Sequence, residues 1–176
     1  MRTLVLGGIR SGKSRWAEQA IAESAGDAPV RYLATGPISD DESWSARVAA
    51  HQLRRPTHWE TAETSDVTAQ LHAHRGTATL VDDVGNWLTA AMDRAGAWAG
   101  APVTEDTDAL VSAVEVFGSP LVLVSPEVGL TLVPDTEAGR RFADALGTLN
   151  QRLAAVCDRV VLVVAGQPLT VKPQRS

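Results

Sequence analysis

The chain is almost without cysteine: Cys157 is the one thiol in 176 residues. An internal disulfide is therefore excluded, and no cysteine–histidine cluster has the spacing of a zinc site. Positive charge is also scarce. Sixteen Lys and Arg face 21 Asp and Glu, for a net charge of −5. That balance argues against a nucleic-acid binder, which carries a basic excess or stripe. It leaves room for an anionic small molecule, for which a local cluster of cations suffices. No apolar run approaches the roughly 20 residues that cross a membrane. Repeats, low-complexity tracts and linkers are missing too, so residues 1–176 read as one domain. The N-terminus runs directly into an apolar strand and shows no signal peptide, which gives the expectation of a cytoplasmic protein.

What is present is concentrated near the N-terminus. Gly7, Gly8, Ile9, Arg10, Ser11, Gly12, Lys13 and Ser14 fit G-x-x-x-x-G-K-[ST], a phosphate-binding loop. The glycines let the backbone curl so that N–H groups point at phosphate oxygens. Lys13 is expected to bridge the β- and γ-phosphates, and the Ser14 hydroxyl to ligate Mg²⁺. The helix that follows adds the positive end of its dipole. The context agrees: residues 3–6 are a short apolar strand, and residues 14–23 carry Trp16, Ala20 and Ile21 at helical spacing.

Strand and helix patterns then alternate. Strands are expected at 30–35, 58–61, 77–81, 120–125 and 160–165, with a last edge strand at 169–172. Helices are expected at 67–74, 87–94, 106–117 and 136–156. Residues 41–55 are helix-permissive up to Pro56, and residues 95–104 read as a loop. Cys157 follows an apolar helical pattern and reads as a small core residue. Strands separated by helices predict an α/β fold, a mostly parallel sheet with helices on both faces.

Two further constellations bear on chemistry. Asp82 and Asp83 end an apolar strand, where P-loop enzymes place an acid that holds Mg²⁺ directly or through water. The plainer reading is a strand-to-helix turn with Asp83 as a helix cap. The second is His51, followed by Arg54 and Arg55. Neutral imidazole is a competent nucleophile toward phosphorus, and arginines can hold phosphates during attack. On spacing alone a surface helix residue is the better reading of His51. Three functions stay open on these residues: a nucleotidyltransferase, a simple P-loop small-molecule kinase with a bystander His51, and a nucleotide-dependent switch or assembly module.

A resemblance narrows them. The chain resembles the bifunctional adenosylcobinamide kinase/adenosylcobinamide-phosphate guanylyltransferase family of cobalamin biosynthesis. The shared blocks are G-G-x-R-S-G-K-S at 7–14, Y-x-A-T-G at 32–36 and D-D-E at 40–42. R-x-x-x-H-x-x-R-R-P-x-H-W-x-T-x-E follows at 47–63, then L-V-D at 80–82 and W-L-T at 87–89. E-V-G-L stands at 127–130, V-P at 133–134, G-T-L-N-Q-R-L-A-A at 147–155 and L-V-V-A-G-Q-P-L at 162–169. The phosphate-loop block is generic; the histidine block and the Glu127 block are specific to the family.

The resemblance implies a RecA-like P-loop sheet, a homotrimer, and two reactions at overlapping sites. ATP or GTP phosphorylates adenosylcobinamide. GTP then transfers GMP to that phosphate through a guanylylated histidine, here His51, releasing pyrophosphate. The implied catalytic residues are His51 and Lys13. Nucleotide contacts fall on the phosphate loop, Ala34, Thr35, Gly36, Gln52, Leu53, Arg54, Arg55, Glu63 and Asp82, with Ser14 and Asp82 holding Mg²⁺. The implied partner is a corrinoid small molecule, with no nucleic acid and no membrane span. The chain departs from the family pattern at Asp83, Gly85, Ala90, Pro126 and Thr131, where cysteine, threonine, asparagine, asparagine and glycine are usual. These departures bear on the corrinoid-side contacts and the kinase half, and not on nucleotide binding.

Overall fold

The computed structural model describes residues 1–36 and 56–173. Seven strands form one sheet in the order β3-β2-β4-β5-β1-β6-β7. They are β1 (Arg2–Gly7), β2 (Val30–Ala34), β3 (Glu60–Glu63), β4 (Ala78–Asp82), β5 (Leu121–Pro126), β6 (Arg159–Val164) and β7 (Gln167–Lys172). All neighbours pair in parallel except β7, which turns back antiparallel on β6 as an edge strand. The expected α/β class is the one observed.

Burial explains the strand sequences. β5 reads Leu121-Val122-Leu123-Val124 without a polar break because both of its faces are covered. Its side chains alternate between two cores: Leu121 and Leu123 join one, Val122 and Val124 the other. Leu4 and Val5 of β1 divide in the same way, as do Val81 and Leu80 of β4. On the second face lies α1 (Lys13–Ala25), with Ala17 and Ile21 buried against Val5, Leu80 and Val161. On the first face lie α2 (Val67–Ala73), α3 (Val84–Ala95), α4 (Thr104–Glu115) and α5 (Glu137–Val156). Among the described residues no helix is long and apolar enough to cross a membrane.

Several boundaries differ from the sequence expectation, each for a local reason. The strand expected at 58–61 forms at Glu60–Glu63, because Pro56 to Trp59 make a turn closed by Trp59 N–H to the Pro56 carbonyl at 3.0 Å. α3 starts at Val84, three residues ahead of the expected Trp87, because the Asp83 side chain accepts from Asn86 N–H at 3.0 Å and caps it. The loop expected at 95–104 holds a short 3₁₀ turn at Ala97–Ala99. Cys157 is buried at the C-cap of α5, and burial pushes its thiol up to about 12, so it stays unreactive. The helix-permissive stretch 41–55 lies outside the described residues.

One packing contact ties two of the departures together. A Cβ at Gly85, on the first turn of α3, would stand 2.9 Å from Pro126 Cγ and 3.0 Å from Asp83 Oδ1. The proline ring at the end of β5 therefore occupies the space that a side chain at position 85 would need. Pro126 is itself fixed by its carbonyl, which accepts from Asn150 Nδ2 at 3.0 Å, while Asn150 Oδ1 accepts from the buried Ser125 hydroxyl at 2.6 Å. Threonine at 85 would crowd both the rigid proline ring and the Asp83 carboxylate, whereas glycine leaves them undisturbed. Gly85→Thr is expected to lower stability by about 1–3 kcal/mol through overpacking. In a Pro126→Asn background the part of that loss due to the proline ring should disappear, a non-additivity that denaturant titration of the four proteins measures.

Candidate nucleotide site

The C-terminal rim of the sheet collects those of the sequence-predicted residues that the structure describes. Strand register sets them side by side: Glu63 opposite Ala34, Ala34 opposite Asp82, and Gly7 opposite Pro126. The phosphate loop leaves β1 in the middle of this rim. Arg10 has a positive φ of 56° and Gly12 one of 92°. Glycine suits the second of these, and a Cβ there would also stand 3.2 Å from Gly166 Cα. Arg10 holds a conformation costly for a residue with a side chain, a form of strain that recurs at ligand clamps. The loop is pinned from both sides. Gly166 N–H donates to the Ser11 carbonyl at 2.8 Å, and Glu127 N–H donates to the Gly7 carbonyl at 3.1 Å. Lys13 folds back, its Nζ donating to the Gly8 carbonyl at 3.3 Å. Gly8, Ile9 and Arg10 are exposed at the crest.

Asp82 is the hub of the acidic side. Its Oδ1 accepts from the Ser14 hydroxyl at 3.3 Å, and its Oδ2 accepts from the buried Tyr32 hydroxyl at 2.5 Å. Thr35 closes the other side of the β4 end. Its N–H donates to the Asp82 carbonyl at 3.0 Å, and its hydroxyl donates to the Asp83 carbonyl at 2.5 Å and accepts from Asp83 N–H at 2.7 Å. The peptide joining Asp82 to Asp83 is cis. Ala34 and Gly36 flank Thr35 on the strand end, and Glu63 lies exposed one strand further out. His51, Gln52, Leu53, Arg54 and Arg55 lie outside the described residues.

The donor set suits a hard cation. A hydroxyl and a carboxylate oxygen 3.3 Å apart stand near the ~3 Å that separates adjacent ligands around octahedral Mg²⁺. Among the described residues no group of three His, Cys, Asp or Glu side chains forms a protein-only cage. An ion that keeps its waters and takes the rest of its ligands from phosphate oxygens fits such a site.

This arrangement of phosphate loop, strand-end acid and rim meets a sequence match along nearly the whole chain. The sequence model of the family described as cobinamide kinase / cobinamide phosphate guanyltransferase matches residues 3–171. The chain belongs to this family. It is 40% identical to the bifunctional adenosylcobalamin biosynthesis protein CobP of Pseudomonas aeruginosa, over 98% of each chain. It is 39% identical to the bifunctional adenosylcobalamin biosynthesis protein CobU of Salmonella typhimurium, covering 98% of this chain and 100% of that one. Among solved structures, the P4 protein from bacteriophage phi6 in complex with ADP aligns with a TM-score of 0.48 at 17% identity. This chain spans 55% of that protein, and the likeness is too slight to carry an inference.

For a member of the cobinamide kinase / cobinamide phosphate guanyltransferase family, the rim adds one residue that sequence reasoning passed over. Tyr32 opens the Y-x-A-T-G block, yet its hydroxyl fixes the orientation of the Asp82 carboxylate. The signal was there: a lone tyrosine in a buried parallel strand needs a polar partner for its hydroxyl. Asp83 fills the capping role weighed for it. It caps α3, and it stands beside Asp82 with Lys13 near enough to act on its charge.

Burial pushes the Asp83 carboxyl up from the ordinary 3.8 to about 6, and the negative charge of Asp82 adds to this. The N–H groups of Asn86 and Gly85 and the charge of Lys13 pull the other way. A raised value in the folded state favours the protonated form. The contribution of Asp83 to stability is therefore full below about pH 4 and is lost as pH rises through about 6. Asn is an equally good cap without the charge. In protein free of nucleotide and divalent metal, Asp83→Asn is expected to be more stable than the wild type at about pH 8, by about 2 kcal/mol. The gain should shrink as pH falls toward 4, as denaturant titration across the range would read directly.

Proposed function

We propose that this chain performs both reactions of its family: phosphorylation of adenosylcobinamide by ATP or GTP, then transfer of GMP from GTP to adenosylcobinamide phosphate. The observation that carries the proposal is the convergence of Lys13, Ser14 and Asp82 on one rim of a chain that belongs to this family. Backbone N–H groups of the phosphate loop and the Lys13 ammonium hold the β- and γ-phosphates. Ser14 and Asp82 would hold Mg²⁺, which would supply neutralisation of charge developing on the phosphate oxygens when bound. Tyr32 keeps the Asp82 carboxylate turned toward Ser14. In the kinase step the acceptor hydroxyl of adenosylcobinamide attacks the γ-phosphorus and the nucleoside diphosphate leaves.

In the second step a His51 ring nitrogen attacks the α-phosphorus of GTP. An N–P bond forms, the bond from the α-phosphorus to its bridging oxygen breaks, and pyrophosphate departs. A phosphate oxygen of adenosylcobinamide phosphate then attacks the same phosphorus, breaks the N–P bond and regenerates His51. Arg54 and Arg55 neutralise the charge that develops on the phosphates. Ala34, Thr35, Gly36, Gln52, Leu53 and Glu63 complete the nucleotide contacts. The homotrimer and the cytoplasmic setting belong to the same proposal and rest on the family resemblance.

Incubation with α-labelled GTP and Mg²⁺ tests it. Label is expected on the protein, stable to base and released by acid, because protonation makes imidazole a good leaving group. γ-Labelled GTP should leave none. His51→Ala should lose the label and GMP transfer while keeping part of the kinase step, and His58→Ala should keep the label. Lys13→Ala should weaken GTP binding by about 1.5–3 kcal/mol, the size of a charge-assisted contact. Wild-type protein that never takes up α-label would leave only the kinase half of the proposal standing.

A further inference from the structure

The two oxygens of the Asp82 carboxylate have different neighbours. The Ser14 hydroxyl bonds Oδ1 at 3.3 Å, and the Tyr32 hydroxyl takes Oδ2 at 2.5 Å. Tyr32 is the single tyrosine of the chain and is 1% exposed. Strand alternation explains the meeting. In the parallel pairing of β2 with β4, Tyr32 stands opposite Leu80 and Ala34 opposite Asp82. Tyr32 and Leu80 face the core that α1 covers, and Asp82, two residues beyond Leu80, points to the same face. Ser14 stands on the first turn of α1, over that face. Oδ1 is thus turned to the phosphate loop and Oδ2 to a side chain buried in the sheet.

The strand end cannot shift to change this. Thr35 N–H donates to the Asp82 carbonyl at 3.0 Å. The Thr35 hydroxyl donates to the Asp83 carbonyl and accepts from Asp83 N–H. With the backbone held on both sides, the carboxylate can move only by side-chain rotation, and rotation breaks the Tyr32 bond. Divalent cations differ in what they ask of a carboxylate. Mg²⁺ demands near-octahedral geometry, whose right angles the two oxygens of one carboxylate cannot span. Ca²⁺ is larger, accepts more oxygens and readily takes both from one carboxylate.

We infer that Tyr32 makes Asp82 a one-oxygen ligand and thereby selects Mg²⁺ over Ca²⁺ at the nucleotide site. The inference rests on the proposed function, which puts the metal on Ser14 and Asp82. Tyr32 acts through Asp82 and is a positioning residue. A Ca²⁺ ion reaches both oxygens only by breaking a hydrogen bond to a charged acceptor, a loss of roughly tenfold or more in affinity. Mg²⁺, which uses Oδ1 alone, leaves that bond intact.

Calorimetry of GTP binding in Mg²⁺ and in Ca²⁺, in the wild type and in Tyr32→Phe, tests this. Phenylalanine keeps the buried ring and removes only the hydroxyl. If neither ion tightens GTP binding to the wild type, the metal site of the proposed function fails and this inference falls with it. Given a metal effect, Mg²⁺ should tighten binding to the wild type more than Ca²⁺ does. In Tyr32→Phe the ratio of the two affinities should move toward Ca²⁺ by roughly tenfold. A hydroxyl that only supported the fold would shift both ions alike. An unchanged ratio in Tyr32→Phe, or a Ca²⁺ effect equal to that of Mg²⁺ in the wild type, would overturn the inference. Crystals of the wild type with GTP and Ca²⁺ give a second reading that needs no variant. Oδ1 alone should ligate the ion with the Tyr32 bond intact, and an Asp82 that offers both oxygens would overturn the inference as well.

Discussion

The carboxylate of Asp82 is held between two hydroxyls that come from different parts of the chain. Ser14 reaches it from the first turn of α1 and Tyr32 from the middle of β2. Hydrogen bonds to a charged group are worth about 1.5–3 kcal/mol each when short, and the Tyr32 bond is the short one. The 3.3 Å bond from Ser14 is loose enough to yield to a cation that both oxygens can share. This junction decides where the phosphate loop sits relative to the acidic strand, although β5 separates β1 from β4 in the sheet. It holds only because β2 and β4 are in register with Ala34 beside Asp82, and because α1 packs across the sheet with Ala17 and Ile21 buried.

The rest of the rim is arranged around that junction. The phosphate loop is clamped by the β6–β7 turn through Gly166 and by the β5 loop through Glu127, so its crest is presented from a rigid cradle. Backbone N–H groups held in place before the ligand arrives need no reorganisation when charge develops, which is the condition for electrostatic stabilisation of a transferring phosphoryl group. The strained Arg10 backbone is sustained by the same two clamps. On the acidic side, Asp83 is spent partly as a helix cap and partly as a charge kept out of water. The phosphate loop, Asp82, Thr35 and Glu63 all stand on the C-terminal rim of the single sheet.

Much of this was legible in the residues because the local and tertiary rules agree. The phosphate loop, the strand before it and the helix after it announce one another, and the continuous apolar runs of β4, β5 and β6 state that both faces are covered. Misreadings came where a local hydrogen bond overrode periodicity. Asp83 drew α3 back to Val84, and the turn at Pro56 delayed β3 to Glu60. The role of Tyr32 and the contact of Gly85 with Pro126 were invisible for another reason. Each joins residues about 40 or more positions apart, and only the strand register reveals that they meet. The residues at 85 and 126, far apart in sequence, are neighbours in the packing.

The junction itself can be tested by calorimetry of GTP binding with and without Mg²⁺, in the wild type and in Asp82→Asn. Asn fills the same space but removes the charge that would hold the cation. Mg²⁺ should tighten GTP binding to the wild type by tenfold or more, on the order of 1.4 kcal/mol. In Asp82→Asn that increment should vanish, while the metal-free affinity, set by Lys13 and the backbone N–H groups, should not fall, because a charge that repels the phosphates is gone. An undiminished Mg²⁺ increment in Asp82→Asn would contradict the assignment of Ser14 and Asp82 as the pair that holds the metal.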